Sequence, residues 1–215
     1  NDFQIQRIQL DPLSSLATVS STGRRVGELS LSVVGKHNLL NALAAFTAAS
    51  ALNMAEDKLF AGLKSFTGTR RRFELKGEVS GVKVIDDYGH HPTEIIATLT
   101  AAKNLAQSAR VLVIFQPHRY SRTAAFSEQF SAALSNADFT FLLEVYAASE
   151  KPIPGVSSLM IARNMDQSKV KFEPSMLEVV SEITKMAKSG DVIITLGAGD
   201  ISSLGEPILQ SLADR

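Results

Sequence analysis

From residue 73 onward, short apolar runs alternate with helix-length segments. Runs at 73–79, 82–86, 110–115, 138–144, 169–172 and 191–196 read as strands, and segments at about 92–107, 123–136, 158–165, 174–189 and 201–213 as helices. Strands spaced by helix-length connections imply parallel βαβ units. The predicted class is therefore α/β: a Rossmann-like, doubly wound, mostly parallel sheet. In such sheets ligands bind outside the carboxyl ends of the strands, so the residues just after each run are the ones to read for chemistry.

The chain before this region is patterned differently. Alternating runs from Asn1 to Val34, broken at Asp11-Pro12 and Thr22-Gly23, predict three antiparallel strands with tight turns. Gly35-Lys36-His37-Asn38 leads into an Ala-rich helix, Leu39 to Leu52, whose apolar residues lie on most faces and predict burial. A second helix follows at about Ala55 to Lys64. Phe66-Thr67-Gly68-Thr69 has loop composition and precedes three consecutive arginines, which places a domain boundary near Gly68, between 1–67 and 68–215. Strand-like alternation already at Phe3-Gln4-Ile5-Gln6, with no initiating methionine or signal peptide, predicts a fragment of something longer.

Composition narrows the function classes. Lys plus Arg equals Asp plus Glu, 22 each, which argues against nucleic-acid binding driven by bulk charge; an anion site must be built locally. No apolar run approaches a membrane span, and the hydrophobic content of 45% is that of a globular chain. The absence of cysteine removes disulfides, thiolate nucleophiles and zinc-thiolate sites, and fits a reducing, cytoplasmic setting.

Five stretches carry candidate chemistry. Val82 to Glu94 reads as a buried strand ending in Asp86-Asp87, a turn through Tyr88-Gly89-His90-His91, and a helix opening at Pro92. Its carboxylates can accept from a ribose or hold a cation, and its imidazoles titrate near neutrality; the plainer reading is a capped helix start. Asn38 and Asn41, three apart at a helix start, can pair the N6 and N7 edge of adenine, or Asn38 can simply cap the helix. The nearby Gly35-Lys36 is not a phosphate-binding loop, because Ser30 and His37 stand where that loop needs a glycine and a hydroxyl. Arg70-Arg71-Arg72 suits a phosphate clamp or a solvated basic turn. Arg119 and Arg122, just after the strand ending at Phe115 and beside His118, can converge on one carboxylate; the alternative is a charged first turn capped by Ser121 or Thr123. Gly197-Ala198-Gly199-Asp200 allows close approach of a ligand, although a structural turn with Asp200 capping the last helix explains it as well. The loop 147–157, with Pro152, Pro154 and Gly155, has no pattern and can lie over a site.

In their order, G-K-H-N-x-x-N-A-x-A-A, R-R-F-E, D-D-Y-G-H-H-P-T-E, F-Q-P-H-R-Y-S-R-T and G-A-G-D resemble the Mur ligases, ATP-dependent amino-acid ligases of peptidoglycan synthesis. The resemblance covers essentially the whole chain and is strongest to the member that adds L-alanine. It implies that residues 1–67 end a central ATPase domain and that 68–215 form the C-terminal domain. The UDP-binding domain, the phosphate-binding loop and most ligands of Mg2+ would then belong to missing N-terminal and central segments. It also implies that ATP phosphorylates the carboxylate of UDP-N-acetylmuramate to an acyl phosphate, which the amine of L-alanine attacks, and that this chain alone is inactive. By the same resemblance Asn38 and Asn41 meet adenine, Arg72 the terminal phosphate and Asp87 the ribose. Tyr88, His90, Arg119 and Arg122 line the alanine pocket, with His90 and Arg72 also catalytic and no metal ligand in this stretch. A murein-tripeptide recycling ligase of the same family, or a non-catalytic nucleotide-binding module, are the alternatives. No nucleic-acid or membrane partner is implied.

Overall fold

The computed structural model describes residues 2–11 and 14–215 and divides into two compact units, Asn1–Thr69 and Arg70–Arg215. In the first, β1 (Phe3–Asp11), β2 (Ser14–Ser21) and β3 (Arg24–Leu31) form an antiparallel sheet in sequence order. The β2–β3 hairpin turns on Thr22 and Gly23, at φ 49 and 82, the pair of left-handed conformations a two-residue hairpin with right-handed strand twist requires. The turn expected at Asp11-Pro12 falls, at Pro12, outside the described residues.

Helices α1 (Lys36–Ala51) and α2 (Glu56–Ser65) pack on this sheet. Contrary to its composition, α1 is not buried on most faces. Only Leu39, Ala42 and Phe46 are buried, a single stripe at helical spacing, while Leu40 and, just past the helix, Leu52 are 48% and 77% exposed. Alanines make a helix apolar all round, but a three-stranded sheet offers it only one face.

The second unit carries six strands, β4 (Glu74–Val79), β5 (Val82–Asp87), β6 (Val111–Phe115), β7 (Phe139–Leu142), β8 (Val170–Phe172) and β9 (Val192–Leu196), ordered β4-β5-β9-β6-β7-β8. The β4–β5 hairpin is antiparallel and every other pairing is parallel. Helices α3 (Pro92–Ala106), α4 (Tyr120–Leu134) and α5 (Leu159–Ala162) cover one face, where Ile95, Leu99, Phe130 and Ile161 meet Val113, Phe115 and Ile194. Helices α6 (Met176–Met186) and α7 (Gly205–Ala213) cover the other, where Val179, Ile183 and Ile208 meet Val84, Ile114 and Ile193. All five residues of β6 and of β9 are buried, which explains why these runs are apolar throughout, save Thr195, rather than alternating. The doubly wound α/β fold expected from the spacing is the one observed; the expected strand 138–144 and helix 158–165 shorten to four residues each.

At the edge opposite the candidate site, Asp191 accepts from the Arg110 amide (3.2 Å), Arg110 Nη2 (2.5 Å) and the Lys188 amide (2.8 Å). Burial alone would raise its carboxyl, but the Arg110 guanidinium and the two amides outweigh this and hold it below its usual 3.8. A carboxyl depressed in the folded state contributes stability above its unfolded pKa and loses it as pH falls through the folded value. Acid titration of unfolding below pH 3.8 is therefore expected to lose steepness on Asp191→Asn. An unchanged acid limb would remove Asp191 from the account.

Candidate functional site

Register brings the expected strand ends to one level. Asp87 and Phe115 both pair with Leu196, and Phe115 pairs with Leu142. The turns after β5, β9, β6 and β7 therefore share one rim. Because β9 lies between β5 and β6 yet leads to α7 on the opposite face from α3 and α4, the rim holds a topological switch point, where such sheets open a crevice.

Both acidic residues at the end of β5 serve the turn itself. Asp87 Oδ1 accepts from the Gly89 amide (2.8 Å) and Thr98 Oγ1 (3.0 Å), and Oδ2 from the Phe73 amide (2.8 Å). Burial pushes its carboxyl above the usual value in spite of these donors. A carboxylate has about four acceptor positions, so capacity for one more donor remains on Oδ2. Asp86, 1% exposed, accepts from Thr195 Oγ1 (2.7 Å) and is paired with Arg71 Nε (3.1 Å).

The three adjacent arginines are not equivalent. Arg71 and Phe73 have φ of 59 and 51, so the chain makes a sharp turn that sends the Arg71 side chain inward. Its Nη2 donates to the Gly197 carbonyl (2.5 Å), its guanidinium lies 5.0 Å from the Tyr88 ring centre, and its carbonyl accepts from the Tyr88 amide (2.7 Å). One side chain thus ties the ends of β5 and β9 together beneath Tyr88. Nothing in the sequence singled Arg71 out from its neighbours. Arg72 is exposed; its charge opposes the burial-driven rise of Asp87 and helps to lower Glu94.

The turn into α3 is a capping box. His91 is the N-cap, its Nδ1 accepting from the Thr93 amide, while Glu94 accepts from the His90 and His91 amides at 3.0 and 3.2 Å. Pro92 occupies the first helical position, as expected. His90 instead faces the rim. Its Nδ1 lies 3.1 Å from the Tyr88 carbonyl, which can only accept, so Nδ1 carries a proton and, in the neutral form of the ring, Nε2 is the bare nitrogen.

His118, 5.9 Å away ring to ring, has the opposite tautomer. Its Nδ1 lies 3.2 Å from Arg122 Nη1, a group that can only donate, so the proton of His118 sits on Nε2. Burial, then the charge of Arg122, that of His90 when it is protonated, and that of Arg119, push its pKa below the usual value. Tyr88, His90, His118 and Tyr146 continue across the rim as neighbouring rings, the last pair stacked at 5.6 Å.

Arg119 and Arg122 stand at the start of α4 as expected, but they share no partner among the described residues. Arg119 Nη1 lies 3.9 Å from Glu150 Oε1, while Arg122 folds back on His118. The anticipated side-chain cap by Ser121 or Thr123 is absent. Thr123 Oγ1 donates back to the Arg119 carbonyl, and Glu150, from the long loop after β7, accepts from the Ser121 amide and hydroxyl at 3.0 and 2.6 Å. Asp200 does not cap α7 either. It begins a 3-10 turn, Asp200–Leu204, and accepts from Gln116 Nε2 at 2.8 Å.

In the first unit, Asn38 and Asn41 line a groove of about 370 Å³ walled by Leu31, Val33, Ala45 and Leu63. Asn38 Nδ2 donates to the Val34 carbonyl at 2.8 Å, which holds its amide in place at the groove. A mostly apolar slot with a few placed amides is how proteins hold flat heterocycles. Among the described residues no three His, Asp or Glu side chains gather as a metal site, and no helix is long and apolar enough to cross a membrane.

The profile of the family described as Mur ligase, glutamate ligase domain, matches residues 71–199. The UDP-N-acetylmuramate–L-alanine ligase of Renibacterium salmoninarum is 47% identical over 86% of this chain and 39% of its own length. That of Acidothermus cellulolyticus is 44% identical over 100% and 46%. Among solved structures, the UDP-N-acetylmuramate-alanine ligase of Thermotoga maritima superposes with a TM-score of 0.82 at 29% identity, covering 97% of this chain and 45% of that one. A murein peptide ligase of Psychrobacter arcticus does so with 0.70 at 26% identity, covering 100% and 45%. The chain spans less than half the length of these relatives.

Proposed function

Because this chain belongs to the Mur ligase family, we propose that it is the C-terminal part of an ATP-dependent ligase joining L-alanine to UDP-N-acetylmuramate. On this reading residues 1–67 end the nucleotide-binding domain, and the remainder binds the amino acid. The observation that carries it is the shared rim: the ends of β5 and β6, both in register with β9, bring Tyr88, His90, His118, Arg119 and Arg122 together. A small zwitterion needs cations for its carboxylate and a proton acceptor for its ammonium, and both are present there. Similarity to alanine-adding relatives over nearly all of the chain supports the same substrate, and the higher TM-score of the alanine ligase favours it over peptide recycling.

ATP passes its terminal phosphoryl group to the muramate carboxylate, leaving ADP, and the amine of alanine then displaces inorganic phosphate from the acyl phosphate to form the amide. This chain's contributions are binding and proton handling. Arg119 and Arg122 hold the alanine carboxylate, whose planar pair of oxygens suits guanidinium forks. His90 Nε2, bare because Nδ1 donates to Tyr88, accepts the proton that the amine must lose before it attacks. The His118 Nε2–H faces the opposite demand, a donor rather than a base. In the first unit Asn38 and Asn41 fit the adenine edge in their groove; in the second, Asp87 Oδ2 has capacity left for a ribose hydroxyl and Arg72 is a cation suited to a phosphate. Among the described residues no group of three His, Asp or Glu side chains gathers to hold Mg2+.

In the full-length protein, Arg119→Ala and Arg122→Ala are each expected to raise the KM for L-alanine by about 10- to 100-fold, the scale of losing hydrogen bonds to a charged group. The KM for ATP should stay near its wild-type value. Unchanged alanine KM in both variants would overturn this reading.

A further inference from the structure

The loop that follows β7 is held down at two points, and both touch the start of α4. At one, Tyr146 exchanges backbone hydrogen bonds with Pro117 and Arg119, each 2.8 Å, and its ring stacks on His118. At the other, Glu150 accepts from the Ser121 amide and hydroxyl. Between these anchors Ala148 and Ser149 have φ of 48 and 69, and Arg119 itself has φ of 73. Three non-glycine residues in the left-handed region cost about 1–3 kcal/mol each and persist only where surrounding contacts over-determine them. Beside the backbone bonds of Tyr146, the side-chain contacts at the second anchor run through one carboxylate, Glu150, which also lies near the Arg119 guanidinium.

The geometry of that pair is informative. Glu150 obtains its hydrogen bonds from Ser121, in the position of an N-terminal cap that α4 otherwise lacks. Its distance of 3.9 Å to Arg119 Nη1 is an ion-pair distance but is too long for a hydrogen bond. Glu150 therefore attracts and orients the guanidinium without filling its N–H donors. Arg119, half exposed, would otherwise sample many rotamers, and ordering it at each binding event would cost affinity.

We infer that Glu150 is a positioning residue of the amino-acid site, which pre-orients Arg119 toward the carboxylate of the incoming amino acid. The inference rests on the reading of Arg119 given above. In the full-length protein, Glu150→Ala is expected to raise the KM for L-alanine about tenfold, with kcat and the KM for ATP within about twofold of wild type. Glu150→Gln keeps an acceptor for Ser121 but loses the charge, so it should fold normally and raise alanine KM about threefold, while Glu150→Asp should be the mildest of the three.

Arg119→Ala is the control that separates the two claims. If it leaves alanine KM unchanged, the reading of Arg119 as a carboxylate ligand fails and this inference with it. If it raises alanine KM while the Glu150 variants remain at the wild-type value, only the inference fails. A lower alanine KM in Glu150→Gln would make Glu150 a competitor for Arg119 and overturn the positioning role. Parallel increases in the KM values of all substrates would reduce it to general support of the fold.

Discussion

Arg71→Ala lowers the stability of the chain by about 3 kcal/mol, the lower end for breaking a buried ion pair, because Arg71 keeps some contact with water. Its side chain is 23% exposed, whereas that of Asp86 is 2% exposed, so the substitution strands a carboxylate that water cannot reach. The Gly197 carbonyl and the face of Tyr88 lose their partner at the same time. Urea unfolding followed by far-UV circular dichroism measures the loss. Asp86→Asn in the Arg71→Ala background should recover much of it, since a neutral amide can still bond to Thr195 without an uncompensated charge. A loss below about 1 kcal/mol, the value of an exposed pair, would show that Asp86 is hydrated and that Arg71 does not hold the rim together. Arg72→Ala, at an exposed position, serves as the comparison within the same triplet.

Gly197→Ala should be comparably damaging for a different reason. Gly197 has a φ of 148, outside what an L side chain adopts, and an added Cβ would stand 2.6 Å from the Gln116 carbonyl oxygen. Backbone strain of about 1–3 kcal/mol and overpacking of about 1–3 kcal/mol combine to about 2–6 kcal/mol. The obstruction is backbone rather than a movable side chain, so the turn itself must shift. Because Arg71 and Gln116 both bond to this turn, with the Gln116 amide hydrogen bonded to the Leu196 carbonyl at 3.0 Å, the shift reaches the ends of β5 and β6 together. A thermal midpoint within about 2 °C of wild type, no more than about 1 kcal/mol produces in a chain of this size, would show that the turn has another conformation available.

The alternation of short apolar runs with helix-length segments was enough to read the doubly wound sheet, because the fully buried strands are apolar but for Thr195, which does not break the pattern. The rim residues Tyr88, His90, Arg119 and Arg122 were legible for a related reason: each follows a strand, and strand ends are where such sheets bind. What was not legible depends on contacts distant in sequence. Asp200 looks like a helix cap until Gln116, 84 residues earlier, is placed against it. Glu150 lies in a stretch with no period, and its importance comes from Ser121 and Arg119 on another element. Arg71 and Arg72 are identical letters; only a left-handed turn decides which one points inward. Ala-rich α1 was read as buried because composition counts apolar residues, not the number of surfaces available to cover them.

Strand β9 comes last in the chain yet lies between β5 and β6. During synthesis, more than a hundred residues of the second unit leave the ribosome before the piece that joins its two halves exists. Until then β5 and β6 have no common neighbour, and their ends cannot be set side by side. The amino-acid pocket proposed here thus cannot form before β9 has emerged, and a nascent chain is exposed to mispairing for most of its elongation.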